Sequence, residues 1–217
     1  MRRRSLVKTS WALVIACSAL VGCTDTQTSE LPVLGPYNVV DKLEDGKLTT
    51  DTVFTQIRPF SFTDQDGNEV TNATFEGSYY VTDFFFTSCP TICPKMKQQM
   101  LRLYEEFEGK ENVLFLSHSI DPKRDSVARL KKFSSKLGIE SERWHMVTGE
   151  MDSIYSMARH YMIAAQVDSL APGGYAHSGA FLLVDLNSQI RGIYDGTNPE
   201  EVDELKTDLQ SLLSAHP

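Results

Sequence analysis

From residue 60 onward the apolar positions of this chain switch repeatedly between period two and the helical period. Phe60 to Thr63 and Glu69 to Thr71 flank Asp66-Gly67-Asn68, and Asp-Gly between alternating runs predicts a β-hairpin. YYVTDFFF, residues 79–86, is rich in aromatic and β-branched residues and predicts a central strand. Met96, Met100, Leu103, Tyr104 and Phe107 then form one stripe and predict a helix over 95–107. VLFLSHSI, residues 113–120, predicts a second strand. Asp125 is placed to cap a helix over Val127, Leu130, Phe133 and Leu137, which Gly138 ends. WHMV (144–147) predicts a short strand. Residues 151–161 predict a helix with Ile154, Met157 and Ala158 inward. AFLLVD (180–185) pairs as a hairpin with 189–194. Pro199 opens the last helix, with Asn198 as its cap and Val202, Leu205, Leu209 and Leu212 as its stripe.

Strands alternating with helices imply an α/β domain. The expectation is a central, mainly parallel sheet flanked by helices on both faces, with an N-terminal β-hairpin and a late β-hairpin insertion. The span 56–217, about 160 residues, suits one domain. Residues 24–55 are polar and weakly patterned and read as a tether followed by a loosely packed lead-in.

The N-terminus indicates where the chain resides. Arg2, Arg3, Arg4 and Lys8 precede the apolar run WALVIACSALV, which is too short to span a bilayer and has the form of a secretory signal. It ends in Leu20-Val21-Gly22-Cys23, which resembles a bacterial lipobox. That resemblance implies a signal peptide of residues 1–22, cleavage before Cys23 and a lipid anchor on its sulfur. The expected location is the bacterial cell envelope, membrane-anchored and facing the periplasm. Cys17 leaves with the leader, so the exported domain keeps only Cys89 and Cys93, in a compartment where disulfides are permitted. Without the leader, 17 Lys and Arg face 29 Asp and Glu, a formal charge of −12. Such a surface excludes nucleic acid as a partner.

The two cysteines stand in DFFFTSCPTICPKM, just past the carboxyl end of the first long strand, where open α/β sheets collect ligands. A spacing of four puts both thiols on one face once the segment turns helical, close enough for a disulfide. The positive end of the helix lowers thiol pKa values. Pro90 and Pro94 suit a first turn whose N–H groups lack intrahelical partners. A purely structural staple is disfavoured, because so small a loop constrains little unfolded-state entropy. A redox pair and a metal site remain.

A metal needs a third ligand. His145, His160 and His216 have no partner residues around them in sequence and read as surface or packing histidines. His177 lies in APGGYAHSGAFLLVD, in a loop before a strand that Pro172, Gly173 and Gly174 make irregular and mobile. If the sheet is thioredoxin-like, this loop packs against the helix start that carries the thiols, where thioredoxins place a cis-proline. Two thiolates and an imidazole suit Cu(I) and accept Cu(II), and zinc would tolerate them too. His118, near the carboxyl end of its strand, is the runner-up, read as a group behind the ligands or as a strand-end polar residue.

TSCPTICPKM, SIDPKRDS (119–126) and YAHSGAFLLVD (175–185) together resemble the Sco/SenC family of thioredoxin-fold copper chaperones. The resemblance runs from about Phe60 to the C-terminus. It implies a copper ion, Cu(I) or Cu(II), held by Cys89, Cys93 and His177. The role it implies is assembly of the dinuclear copper A centre of a haem–copper oxidase, by copper delivery or by keeping that centre's cysteines reduced. The partner would be the copper A-bearing subunit, with other copper chaperones or thiol reductases besides. Where the family often has Asp-His-Ser, this chain has Ala176-His177-Ser178, so no adjacent carboxylate is present to orient the imidazole. Two other readings use the same thiols: a membrane-anchored, metal-free thiol–disulfide oxidoreductase, and a peroxiredoxin-like peroxidase. The peroxidase ranks last, since Thr87 is near Cys89 but no arginine is close in sequence.

Overall fold

In the computed structural model, which describes residues 31–215, β1 (Tyr37–Glu44) and β2 (Lys47–Phe54) pair antiparallel around Asp45-Gly46. Both turn residues take positive φ, 50° and 77°, a geometry that Asp-Gly accommodates between twisted strands. The lead-in therefore holds a ribbon where only weak patterning was expected. Both faces of this ribbon stay wet, with Tyr37, Val39, Leu43 and Leu48 exposed, so it needs no apolar-to-polar contrast to form. Its Asp-Gly was the readable signal. The chain is tied down at the ribbon's base, where Leu34 N–H donates to the Ile190 carbonyl and Ile57 N–H to that of Ser188. The signal peptide, the lipobox, Cys17, Cys23 and His216 lie outside the described residues.

The expected hairpin forms from β3 (Ser61–Thr63) and β4 (Glu69–Thr71). Asp64 Oδ1 accepts the N–H groups of Asp66 and Asn68 and so closes the turn. Then come β5 (Tyr79–Phe85), α1 (Ile92–Glu106), β6 (Val113–Ser119), α2 (Val127–Leu137), β7 (Trp144–Val147) and α3 (Met151–His160). After two three-residue strands, β8 (Ala165–Val167) and β9 (Tyr175–His177), follow β10 (Ala180–Val184), β11 (Ile190–Asp195) and α4 (Pro199–Ala215).

The central sheet has the order β11-β10-β5-β6-β7. The contacts β5–β6 and β6–β7 are parallel, whereas β10 runs antiparallel to both of its neighbours. The sheet is thus evenly mixed. The late hairpin enters it as an edge pair, because a short turn can only return the chain antiparallel. Right-handed crossovers from β5 to β6 and from β6 to β7 step the same way, which puts α1 and α2 on one face. Alternation along β5 confirms this. Asp83 meets Lys97 of α1, Phe85 meets Phe133 of α2, and Tyr79 Oη donates to the Leu212 carbonyl of α4. Tyr80 and Phe84 point the other way, toward Phe75 and the Tyr161 that ends α3.

One cap differs from expectation. Ser126, not Asp125, caps α2 through the Arg129 N–H, because the Asp125 carboxylate is engaged elsewhere. Gly138 ends that helix at φ 71°. Asn198 caps α4 as expected, accepting from the Glu200 N–H.

Candidate metal centre

The loop between β5 and α1 is pinned before it delivers the thiols. Thr87 donates its backbone N–H and its hydroxyl to buried Asp125, at 2.9 and 2.5 Å, and Ser119 Oγ donates to the same carboxylate at 2.7 Å. Arg129 Nε donates to Thr87 Oγ1 at 2.6 Å. An arginine does therefore reach Thr87, from α2, but its Nε is spent on that hydroxyl and lies 3.4 Å from Asp125 Oδ1. Cys89 N–H then donates to the Phe86 carbonyl.

Helix α1 starts at Ile92, three residues before the stripe indicated. Cys93 and Pro94 sit in its first turn, at no hydrogen-bond cost for the proline. Cys89 stays in the entering loop, so the thiols do not share a helix face. They converge through loop and helix together. Both are free and buried, Cys89 9% and Cys93 3% exposed.

His177 completes the cluster. The two Sγ atoms and one His177 ring nitrogen all lie within 4.8 Å of one another, and Cys93 Sγ is 3.3 Å from His177 Nε2. His177 Nδ1 is 3.0 Å from the Ser178 carbonyl. That carbonyl can only accept, so Nδ1 carries the proton and the Nε2 lone pair faces the sulfurs. A backbone carbonyl thus does the orienting that a neighbouring carboxylate would do. The ribbon of β8 and β9 carries the ring, in place of the irregular loop expected, and Phe86 sets its edge against it at a centroid distance of 5.8 Å. Burial holds the imidazole pKa below its ordinary value, against the pull of the Ser178 carbonyl, which keeps the ring neutral and able to ligate.

The thiols are unequal. Burial works to raise Cys89, but the N–H groups of Thr91 and Cys93 outweigh it, and the thiol ends below its ordinary pKa. Burial pushes Cys93 well up, and the adjacent Cys89 adds to this. The expected lowering at the helix start therefore holds for Cys89 alone.

His118 is not behind the ligands. It pairs in register with Phe84, on the sheet face opposite α1. It stacks on Phe84 at 4.6 Å, with Phe62 and Tyr161 around it, and burial pushes its pKa down to about 3. The reason is strand parity: Ser117 and Ser119 face α1 and α2, so His118 cannot. His145 lies 3.3 Å from Asp64, and His160 meets the Arg58 N–H; neither belongs to the cluster of thiols and His177. Sequence reasoning missed Lys97, Asp83, Ser117 and Asp125. A readable signal existed, since an aspartate inside an apolar strand needs a buried partner.

The family model described as SCO1/SenC matches residues 49–214. A SCO1/SenC family lipoprotein from Bacillus anthracis superimposes with a TM-score of 0.66 at 28% identity, covering 73% of this chain and 95% of its own. BsSco, described as a member of the Sco family of cytochrome c oxidase assembly proteins with a disulfide switch, gives 0.64 at 28% identity, over 73% of this chain and 94% of its own. Yeast Sco1 with copper bound gives 0.58 at 26% identity, over 72% and 90%. With the fold of these relatives and the family model spanning most of its length, this chain belongs to the SCO1/SenC family.

Proposed function

We propose that Cys89, Cys93 and His177 take up one copper ion as cargo, and that the protein serves the assembly of the copper A centre of a haem–copper oxidase. It would do so by delivering copper or by keeping the centre's cysteines reduced. The observation that carries this reading is the convergence of two free thiols and a neutral, oriented imidazole within 4.8 Å. That donor set fits copper: thiolates hold Cu(I), and the imidazole extends the site to Cu(II). The copper-bound yeast relative and the oxidase-assembly role of BsSco support it. We further propose that Cys23 carries a lipid that holds the protein to a bacterial membrane from the periplasmic side. The lipobox and the B. anthracis lipoprotein support this. Among the described residues no helix is long and apolar enough to cross a membrane.

The test is metal content after copper exposure of the reduced protein. One copper per chain is expected, abolished by Cys89→Ser or Cys93→Ser, and either variant retaining full affinity refutes the ligand set. A second reading, a metal-free thiol–disulfide oxidoreductase, is favoured by the thiols' proximity and unequal acidity. Reduction of an oxidised copper A fragment by the metal-free protein, lost in Cys89→Ser, would favour it.

A further inference from the structure

The register of the β1–β2 ribbon sorts its side chains into two unequal faces. Residues directly opposite in an antiparallel pair share a face. Tyr37 stands across from Phe54, Val39 from Thr52, Asp41 from Thr50 and Leu43 from Leu48. That face therefore holds four of the five large apolar side chains that the ribbon exposes: Tyr37 at 59%, Val39 at 60%, Leu43 at 73% and Leu48 at 68%. Of the ribbon's partly covered residues only Phe54 belongs to it, whereas Val40, Thr49 and Asp51 lie on the other face. The more apolar side is thus the wetter one, the reverse of the apolar-in, polar-out order of an ordinary antiparallel sheet. Hydrogen bonds tie the ribbon to the body at its base, and it forms a sheet of two strands only. Such a pair is marginal in water without a third strand or a helix against its apolar face. Exposed apolar patches of this kind mark contacts with a protein or a membrane.

Charge and chain length select the occupant. The ribbon carries Lys42 and Lys47 against Asp41, Glu44, Asp45 and Asp51, so two copies laid face to face would repel. The Arg191 guanidinium donates to the carbonyls of Leu31 and Pro32, and Leu34 N–H to that of Ile190, so the chain is held to β11 from residue 31 onward. Cys23 stands eight residues before that clamp, at most about 29 Å away along a fully extended chain. The ribbon follows the clamp at once, and its eight-residue strands are about 27 Å long. A leash this short keeps the ribbon at high local concentration beside any bilayer that holds Cys23. We infer that the face bearing Tyr37, Val39, Leu43 and Leu48 lies on the membrane that the Cys23 lipid enters, and so fixes the orientation of the domain over it. This inference rests on the lipid anchor proposed above. Leucines enter the acyl boundary, and a tyrosine suits the headgroup level. Because the ribbon is net acidic, the attraction is apolar and needs no anionic lipid. A domain on its leash alone would rotate freely; the second contact removes that freedom.

The test uses the lipidated mature protein in phosphatidylcholine vesicles, with plain or brominated acyl chains. Trp11 leaves with the leader and Trp144 is fully buried, so a tryptophan placed in the ribbon is the one that reports contact with lipid. Leu43→Trp should lose emission to the brominated lipid. Its neighbour Glu44→Trp, on the other face, should keep it. Leu48→Trp, directly across from Leu43, should be quenched as Leu43→Trp is, which preserves the test if one substitution disturbs the turn. Equal quenching of Leu43→Trp and Glu44→Trp, or none in either leucine variant, overturns the inference. So does a Leu43→Trp emission that is blue-shifted yet unquenched, since a second copy or another protein would then cover the face. Protein that does not float with the vesicles lacks the anchor, and that result refutes the lipid reading itself and the inference with it.

Discussion

Gly173 offers a direct test of whether the β8–β9 connection positions the imidazole. It adopts φ +84°, and a Cβ built there would lie 2.6 Å from Phe86 Cε2 and 2.9 Å from Cζ. Phe86 is the ring that packs on both Tyr175 and His177. Its neighbour Gly174 adopts φ +89° but would place a Cβ in open space. Alanine at either position forces an L-residue into left-handed backbone, at about 1–2 kcal/mol. Only Gly173→Ala adds a clash of nearly 1 Å below ordinary contact with a ring that is itself buried, worth about 1–3 kcal/mol more by overpacking. Urea denaturation should therefore rank Gly173→Ala below Gly174→Ala by at least about 1 kcal/mol. If the Phe86 ring yields, His177 moves with it, so the sulfur-to-copper absorption of the Cu(II) form should change in Gly173→Ala and persist in Gly174→Ala. Equal stability and equal spectra for the two variants would refute the idea that this contact holds the histidine.

Two further outcomes are expected. His118 contributes stability that is whole above the unfolded imidazole value of 6.5 and is lost as pH falls toward about 3; relative to His118→Leu, the parent should therefore lose about 1.4 kcal/mol per pH unit across that window. Parallel stability curves would show that the buried ring is not held neutral. Mass spectrometry of the exported protein should find its N-terminus at a lipid-modified Cys23, and any other N-terminus refutes the anchor.

What the sequence disclosed depended on how far each signal reaches along the chain. The grouping of Cys89, Cys93 and His177 was legible because their chemistry is rare, the cysteines follow the first long strand and the histidine precedes AFLLVD. Helices α1 to α4 were legible from stripes several turns long. The reading of His118 as a group behind the ligands failed because that role turns on which face of β6 the ring occupies. That follows from pairing with Phe84, a register that no local pattern contains. The ribbons were lost for different reasons. β1 and β2 bury little on either side, and β8 and β9 are three residues each, too short for any period to show. Lys97 was hidden because a lysine on an amphipathic helix reads as solvated until its acidic partner is placed opposite.

The three candidate ligands belong to parts of the fold that are held unequally. Cys93 is built into a helix whose buried stripe runs through Met96, Met100 and Leu103. Cys89 is fixed two residues after a threonine clamped to a fully buried carboxylate. Moving either sulfur means disturbing the core. His177 hangs instead on a two-stranded ribbon whose residues are intermediate or exposed, tied back by the Ser178 N–H to the Ala164 carbonyl and by the Phe86 contact. Segments with few buried contacts open at lower free energy than core elements. The imidazole can therefore leave the cluster without carrying the thiols with it. A soft ion held by two sulfurs tolerates that loss better than a harder one that needs the nitrogen. On the ligand set proposed above, the two sulfurs that suit Cu(I) would then stand on core elements and the imidazole that admits Cu(II) on the element that opens more easily.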